Sequence, residues 1–173
     1  MRHLLPSQFY AFLQKEIGGI SDVQLLILKG HIITEYALNC YLEAISSWKT
    51  SDFFKENLSF AVKVKIAKHF GRLGSKDDNL IHELELLNSL RNDMAHSLEY
   101  DRKTLDDLFE QIERKSPGFF SQYPKDSEAF RLRLAVVWLN AAVFSAYRQI
   151  VDPDGTAKDM DEFRKRTHQD EMG

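Results

Sequence analysis

Cysteine, proline and glycine are all scarce in this chain of 173 residues. The single cysteine, Cys40, excludes an intrachain disulfide and a cysteine-rich metal site. Its position in an apolar run predicts a buried, inert thiol. Only four prolines and eight glycines interrupt the sequence, and no strong run alternates between polar and apolar residues. Because half-buried strands show that alternation, we predict an all-α protein.

The chain also lacks an excess of positive charge and a long uninterrupted apolar run. Its 23 lysines and arginines are outnumbered by 26 aspartates and glutamates, which gives a net charge of -3. This balance argues against binding nucleic acid through overall charge, but it does not exclude a local basic patch. No apolar run approaches the ~18 residues of a membrane span, and the first residues, MRHLLPSQFY, contain no signal-peptide core. We expect a cytoplasmic protein with no membrane partner.

Helical spacing of apolar residues predicts a bundle of about five to six helices in one domain, residues 1–155, followed by a charged tail, residues 156–173. Ser21 and Gln24 have the spacing of a capping box, which predicts the start of a long second helix. The expected helices run from Pro6 to about Ile17, from the Ser21 cap to about Ser46, from Ser59 to Phe70, from a cap at Asp77 or Asp78 through Leu80, Leu84, Leu87 and Leu90, from a cap at Thr104, and from a cap at Asp126 or Ser127 to about Ile150.

The long second helix carries apolar residues on more than one face, which predicts a central helix packed on several sides. Those residues include Leu25, Leu28, Ile32, Tyr36 and Leu42.

Three polar residues interrupt the same helix, namely His31, Glu35 and Asn39. Their spacing of four residues puts them on one face. They form either a solvated stripe or a polar line that faces a functional cleft.

The most basic window of the chain is SFAVKVKIAKHFGRL, starting at Ser59. Its lysines, Lys63, Lys65 and Lys68, with Arg72, are either solvated helix surface or candidates for contact with RNA phosphates, which need clustered positive charge. A later loop, residues 116–125, carries three aromatic residues that either pack back onto the body or a partner, or stack on bases. These three are Phe119, Phe120 and Tyr123.

Common catalytic motifs are missing. Gly71 and Gly74 are not followed by the Lys-Ser/Thr pair of a phosphate-binding loop. The six histidines do not cluster at ligand spacing, so we expect no metal site and no cofactor. No Gly-x-Ser-x-Gly nucleophile elbow occurs. A helix-turn-helix reader is not excluded, but it normally carries more Arg, Lys and Asn on one helix.

One dense polar cluster remains, RNDMAH, in which Arg91, Asn92, Asp93 and His96 fall within six positions. Histidine moves a proton near neutral pH, and arginine holds a phosphate through paired hydrogen bonds. Together they suit attack of a ribose 2′-hydroxyl on the adjacent phosphate without a metal. A regular helix, however, turns Arg91 about 140° away from His96 and keeps only Asn92 close to it. In the alternative interpretation, Arg91 and Asp93 make surface ion pairs and His96 ends a helix.

This cluster resembles the R-x4-6-H motif of the HEPN superfamily, in which a polar residue such as Asn92 commonly follows the arginine. The upstream segments LKGHIITEYALNCYL and NLSFAVKVKIAKHFGRL also resemble helices of the mannitol-operon-repressor-like type. The resemblance implies a helical bundle, commonly dimeric, in which two motifs meet in one RNA-cleaving cleft. It also implies that His96 is the acid or base, that Arg91 binds the phosphate and that Asn92 orients them. We further expect Glu35 to pair with Arg91, with Asp93 in a supporting role.

Two functions follow from these observations. The first is a homodimeric, metal-independent endoribonuclease with RNA as its substrate, of the toxin or antiviral-defence kind. The second is a non-catalytic interaction module, such as a transcriptional regulator, antitoxin or immunity protein, with a protein partner. The net charge of -3 favours the second, and the complete motif favours the first.

Overall fold

The computed structural model describes residues 6–46, 58–74, 79–122 and 127–153. Within these ranges the chain is all-helical and contains no strand, which confirms the predicted all-α bundle of five to six helices. The helices are α1 Pro6–Ile17, α2 Val23–Ile45, α3 Phe60–Phe70, α4 Ile81–Ser97, α5 Arg102–Lys115 and α6 Glu128–Val151, with a short 3-10 helix at Phe120–Gln122. The charged tail, residues 156–173, lies outside the described residues.

Helix α2 begins one residue later than the sequence pattern predicted, so the Ser21 capping box is wrong. Its N-cap is Asp22, whose carboxylate accepts a hydrogen bond from the backbone N–H of Leu25 at 2.9 Å. Gln24 instead donates its side-chain amide to the backbone carbonyl of Leu98, 3.1 Å away. Either Ser or Asp can cap a helix, and the contact from Gln24 to the end of α4 is tertiary information that local spacing does not carry.

Two further caps were also predicted wrongly. The N-cap of α5 is Asp101, whose carboxylate accepts hydrogen bonds from the backbone N–H and the hydroxyl of Thr104. Thr104 is therefore the donor at this cap, and its hydroxyl is the main cause that lowers the pKa of Asp101. Helix α4 has Leu80 at its N-cap position, so neither Asp77 nor Asp78, which lie outside the described residues, occupies it.

Two predicted starts are confirmed. The Ser59 hydroxyl caps α3 by accepting from the backbone N–H of Val62, and the Ser127 hydroxyl caps α6 by accepting from that of Phe130. The alternative cap of α6, Asp126, lies outside the described residues.

Helix α2 is the centre of the packing. It packs most extensively along α6, and it also contacts α1, α3 and α4. Helix α5 bridges α4 and α6, so that α2, α6, α5 and α4 form a ring, with α3 resting on α2 and α4 and with α1 on α2 and α6. The α2–α6 approach is close because Gly30 lies against Val136, where an added Cβ would come within 2.7 Å of Cγ2.

The α2–α6 contact contains a small buried polar group within the apolar core. The Asn140 side-chain amide donates to the Thr34 hydroxyl at 2.8 Å and to the Val136 carbonyl at 2.9 Å. Thr34 in turn donates to the Gly30 carbonyl at 2.8 Å. These bonds satisfy most of the buried polar atoms and fix the register between the two helices.

The aromatic loop packs back onto the body, as predicted for Phe119 and Phe120, while Tyr123 lies outside the described residues. Both phenylalanines are partly buried against the core. The Arg131 guanidinium of α6 lies 4.5 Å from the ring centre of Phe109 and 5.2 Å from that of Phe120. This cation–π arrangement attaches the loop to α5 and α6.

Helix α6 is long and apolar enough to cross a membrane by length and composition alone. A single helix of this kind is weak evidence, since the core helix of a soluble protein passes the same test. Here one face of α6 packs against α2, with Leu132, Val136 and Val143 fully buried.

Candidate functional site

The RNDMAH cluster lies in the last two turns of α4, and the helix is regular through Ser97. The left-handed backbone of Leu98, with φ of 59°, then ends it. Arg91 and His96 are therefore separated by about 140° of rotation and ~7.5 Å of rise along the helix. No irregularity between them brings the two side chains to one face within a single chain.

Arg91 is exposed, and its guanidinium donates to the Asn92 side-chain carbonyl at 3.2 Å. In the part of the chain that the structure describes, no carboxylate forms an ion pair with it. A guanidinium without a carboxylate partner keeps its remaining donors free for a phosphate. Asn92 thus orients Arg91, while His96 is exposed one turn further along α4.

The end of α4 is held by several hydrogen bonds. The Ser97 hydroxyl lies 2.7 Å from the Asp93 carbonyl oxygen and 3.0 Å from that of Glu99. The Gln24 amide holds the Leu98 carbonyl against the start of α2. Asp93 is half-buried, and the contact described for it is through its backbone rather than its carboxylate. The turn that carries His96 is consequently anchored on both sides.

Beneath the cluster lies the buried ring of His31. Its Nε2 is 3.2 Å from the side-chain oxygen of Asn88, and its ring centre is 4.4 Å from that of Phe60. Burial lowers the pKa of His31 below its ordinary value of 6.5, and the positive charges of Arg91 and Lys63 lower it further, against opposing effects of Asn88 and Glu35. The ring is therefore mainly neutral at pH 7 and donates its Nε2–H to Asn88.

Glu35 does not pair with Arg91, as the sequence had led us to expect. Its carboxylate accepts a hydrogen bond from the Lys63 ammonium at 2.6 Å, and the Lys63 side chain is only 5% exposed. Lys63 lies on the inner face of α3, which also buries Phe60 and Val64. The interpretation of Lys63 as solvated surface is therefore wrong, and its ammonium is held away from solvent. Its position within the apolar spacing of α3 was the signal that could have revealed this.

The polar line on α2 is not a solvated stripe. His31 contacts α4 through Asn88, and Glu35 contacts α3 through Lys63. The third member, Asn39, is half-buried, and its side-chain oxygen has no hydrogen-bond partner among the described residues. The line lies at the junction of α2 with α3 and α4, next to Arg91.

The remaining basic candidates are exposed: Lys65 lies at the middle of α3, Lys68 lies on its last turn, and Arg72 follows the end of the helix. The structure therefore separates them from Lys63. It also separates them from the motif, because Arg72 donates its backbone N–H to the hydroxyl of Tyr41, close to the end of α2.

Helix α2 packs on several sides, as predicted, but it also exposes an apolar stripe. The stripe is spaced by three and four residues, so its members share one face. It consists of Leu25 at 45% exposure, Leu28 at 37%, Ile32 at 65% and Tyr36 at 43%. Leu98, which is 75% exposed, lies next to its first turn. Sequence spacing missed the stripe because it finds apolar faces without showing which face has a neighbour.

The described residues contain no group of three or more His, Cys, Asp or Glu side chains that could hold a metal ion. Cys40 is buried, in agreement with the prediction of a buried thiol. No family model, no curated protein and no solved structure matches this chain.

Proposed function

We propose that this chain is a HEPN-type, metal-independent endoribonuclease whose active site is completed by a second copy of the chain. The observation that carries the proposal is the exposed Arg91, which Asn92 orients and which has no carboxylate partner in the described part of the chain. A histidine, His96, is exposed on the same anchored helix end. A guanidinium that binds a phosphodiester and an imidazole that transfers protons are the two groups that this reaction needs.

In the proposed reaction His96 removes the proton from a ribose 2′-hydroxyl. The 2′-oxygen forms a bond to the adjacent phosphorus, and the bond from phosphorus to the 5′-oxygen breaks. The protonated His96 then gives this proton to the 5′-oxygen, so the products are a 2′,3′-cyclic phosphate and a free 5′-hydroxyl. Arg91 binds the phosphate and stabilises the charge that grows on it in the transition state.

The second copy enters the proposal for two reasons. A regular α4 turns Arg91 and His96 apart, so an arginine from one chain needs a histidine from another. The apolar stripe of α2 lies beside α4 and supplies surface for such an association. Exposed apolar patches rimmed by polar residues commonly mark protein interfaces. A twofold axis close to the stripe would place two copies of the motif opposite each other.

The test of catalysis is cleavage of a single-stranded RNA by purified protein in excess EDTA. We expect His96→Ala and Arg91→Ala to lose at least ~100-fold in rate. The matched controls are His82→Ala, an exposed histidine earlier on α4, and Arg114→Ala, an exposed arginine on α5. Wild-type protein that leaves RNA intact, or control variants as inactive as the motif variants, would refute the proposal.

Mixing the two inactive variants tests the contribution of the second copy. A mixed dimer of Arg91→Ala and His96→Ala chains keeps one site with an intact arginine from one chain and an intact histidine from the other. Random exchange should then restore about a quarter of the wild-type rate. If both groups act within one chain, mixing restores nothing. Ile32→Asp, in the middle of the stripe, should give a monomer by sedimentation, whereas Tyr10→Asp on α1 should not.

The alternative function is a non-catalytic module that binds another protein through the same stripe. The 65% exposure of Ile32 and 75% of Leu98 suits a foreign protein as well as a second copy. Wild-type protein that cuts no RNA, together with a defined partner lost from the Ile32→Asp variant in a pull-down, would favour this alternative.

A further inference from the structure

Helix α3 exposes an apolar stripe of its own. Val62, Ile66 and Phe70 are spaced by four residues, so they fall within about 80° of one another around the helix. Val62 is 40% exposed, Ile66 is half-buried, and Phe70 is 80% exposed, more than any other large apolar side chain that the structure describes. Folding therefore leaves this side of α3 uncovered, although another side of the same helix is buried in the core.

The stripes of α2 and α3 face the same way. The two helices run parallel, since Lys63 pairs with Glu35 and the end of α3 reaches Tyr41, further along α2. Around its helix, Glu35 lies about 60° before the middle of the α2 stripe, whereas Lys63 lies about 60° after the middle of the α3 stripe. Opposite rotations from side chains that face each other on parallel helices lead to the same side of the pair. The two stripes therefore lie side by side on one surface.

We call this combined surface the α2–α3 face. Its apolar members are Leu25, Leu28, Ile32, Tyr36, Val62, Ile66 and Phe70. At its centre the Lys63 ammonium and the Glu35 carboxylate are paired at 2.6 Å. The apolar side chains together leave on the order of 600 Å² in water, which is as much as the largest patch on an ordinary monomer. It also approaches the ~800 Å² that each partner buries in a stable complex.

We propose that the α2–α3 face binds the identical face of a second copy of the chain, with Phe70 as the anchor on its α3 side. In a twofold contact a surface meets its own copy, so a charged patch would meet like charge. The α2–α3 face avoids this repulsion, because its central cation and carboxylate neutralise each other. This inference rests on the proposed function, in which a second copy completes the site, and it extends the contact surface from α2 onto α3.

An association of this kind should survive high salt. Raising the ionic strength from about 0.1 to about 1 M shortens the screening length from about 10 to about 3 Å and weakens contacts between exposed charges. Burial of apolar surface is not weakened by the same change. The dissociation constant of the dimer should therefore be no higher at about 1 M salt than at about 0.1 M.

The test is sedimentation equilibrium of the protein alone, without RNA, from ~0.1 to ~100 µM. Phe70→Ser should raise the dissociation constant of the dimer at least ~30-fold, as expected when both chains lose an interface anchor. Phe70→Leu keeps an apolar side chain and should raise it less than ~5-fold. The matched control is Lys68→Ser, because Lys68 is exposed on the same helix turn but points about 160° away from Phe70. This control should dimerise as wild type does.

The outcomes separate this proposal from that of the enzyme. A dimer lost in Phe70→Ser and kept in Lys68→Ser supports the face, even if the protein cuts no RNA, which would refute only the endoribonuclease. A chain that stays monomeric at ~100 µM overturns the face. Activity restored by mixing the Arg91→Ala and His96→Ala chains, in a dimer that Phe70→Ser does not weaken, overturns the face alone.

Urea unfolding at low protein concentration shows whether the ring is covered within its own chain. The free energy of unfolding of the Phe70→Ser monomer should equal that of wild type, because the ring is 80% exposed. A clear loss of monomer stability would mean that the ring packs inside one chain, and it would overturn the proposal. A dimer that Phe70→Ser leaves unchanged, while a different bound protein is lost, would overturn it as well.

Discussion

Replacing Glu35 should destabilise the protein much more than replacing Lys63, its partner in the ion pair. The Lys63 side chain is 5% exposed, whereas that of Glu35 is 32% exposed. Replacing Glu35 with glutamine leaves the ammonium in a largely desolvated place without its counter-charge. Breaking a fully buried pair in this way costs about 3–5 kcal/mol. Because Glu35 is about one-third exposed and water reaches it, we expect about 2 kcal/mol for Glu35→Gln.

Replacing Lys63 with methionine should cost less. The side chain keeps a similar length and apolar volume, and the desolvated charge disappears with its penalty. The remaining Glu35 carboxylate is partly exposed, so it recovers hydration. We expect Lys63→Met to change the free energy of unfolding by less than about 1 kcal/mol in either direction. The double variant should resemble Lys63→Met alone, which gives a coupling energy of at least ~1 kcal/mol.

The assay is urea unfolding followed by far-UV circular dichroism, with equal m-values required for comparison. The matched control is the more exposed pair of Lys29 and Glu16, at 3.4 Å and with exposures of 41% and 35%. Glu16→Gln should cost no more than about 0.5 kcal/mol. If Glu35→Gln costs no more than Glu16→Gln, or if Lys63→Met is the more destabilising change, the account of Lys63 as a desolvated cation is wrong.

Three other predictions concern the fold and its dependence on pH. Gly30→Ala should destabilise the protein by about 1–2 kcal/mol, because the clash with Val136 outweighs the gain in helix propensity. Adding Val136→Ala should restore the stability. The control Gly19→Ala, whose Cβ meets nothing, should be neutral or slightly stabilising in the same urea assay. Since the folded pKa of His31 lies below its unfolded 6.5, its neutral form contributes fully above pH 6.5 and that contribution is lost as the pH falls below it. His31→Gln should therefore flatten the plot of Tm against pH on the acid side, and an unchanged plot would contradict its buried neutral state. Leu98→Gly should raise the stability of the monomer by about 0.5–1 kcal/mol by relieving the left-handed backbone, and a loss measured at low protein concentration would show that no strain is stored there.

Helices were predicted well from the sequence wherever the capping and helix-ending residues agree with the spacing of the apolar residues. Pro6 and the glycines after Ile17 bound α1 at the expected residues, and Ser59 and Ser127 cap their helices. These signals are local, because proline, glycine and a capping hydroxyl act within one turn. Caps failed where two candidates lay close together, as with Thr104 and its acceptor Asp101.

The surroundings of the site were much harder to predict. Spacing placed His31 and Glu35 on one face of α2, which the structure confirms, but it gave Glu35 the wrong cation. From the sequence alone, either Lys63 or Arg91 could pair with Glu35. Only the packing of α3 against α2 shows that Lys63 is the partner. The exposure of Ile32 was equally invisible, because an apolar residue facing solvent looks the same in sequence as one facing a neighbour.

The long contact between α2 and α6 also determines when the chain can fold. Thr34 and Asn140 are 106 positions apart, and Arg133 donates to the Ile20 carbonyl across 113 positions. On a ribosome, therefore, α2 is made long before α6, the helix that covers it. The face of α2 with Leu26 and Ala37 stays exposed to solvent until α6 is synthesised. Such chains fold late and depend on protection of the nascent segment from aggregation. A stop codon anywhere before α6 should yield a product that is degraded or aggregated rather than a smaller folded protein.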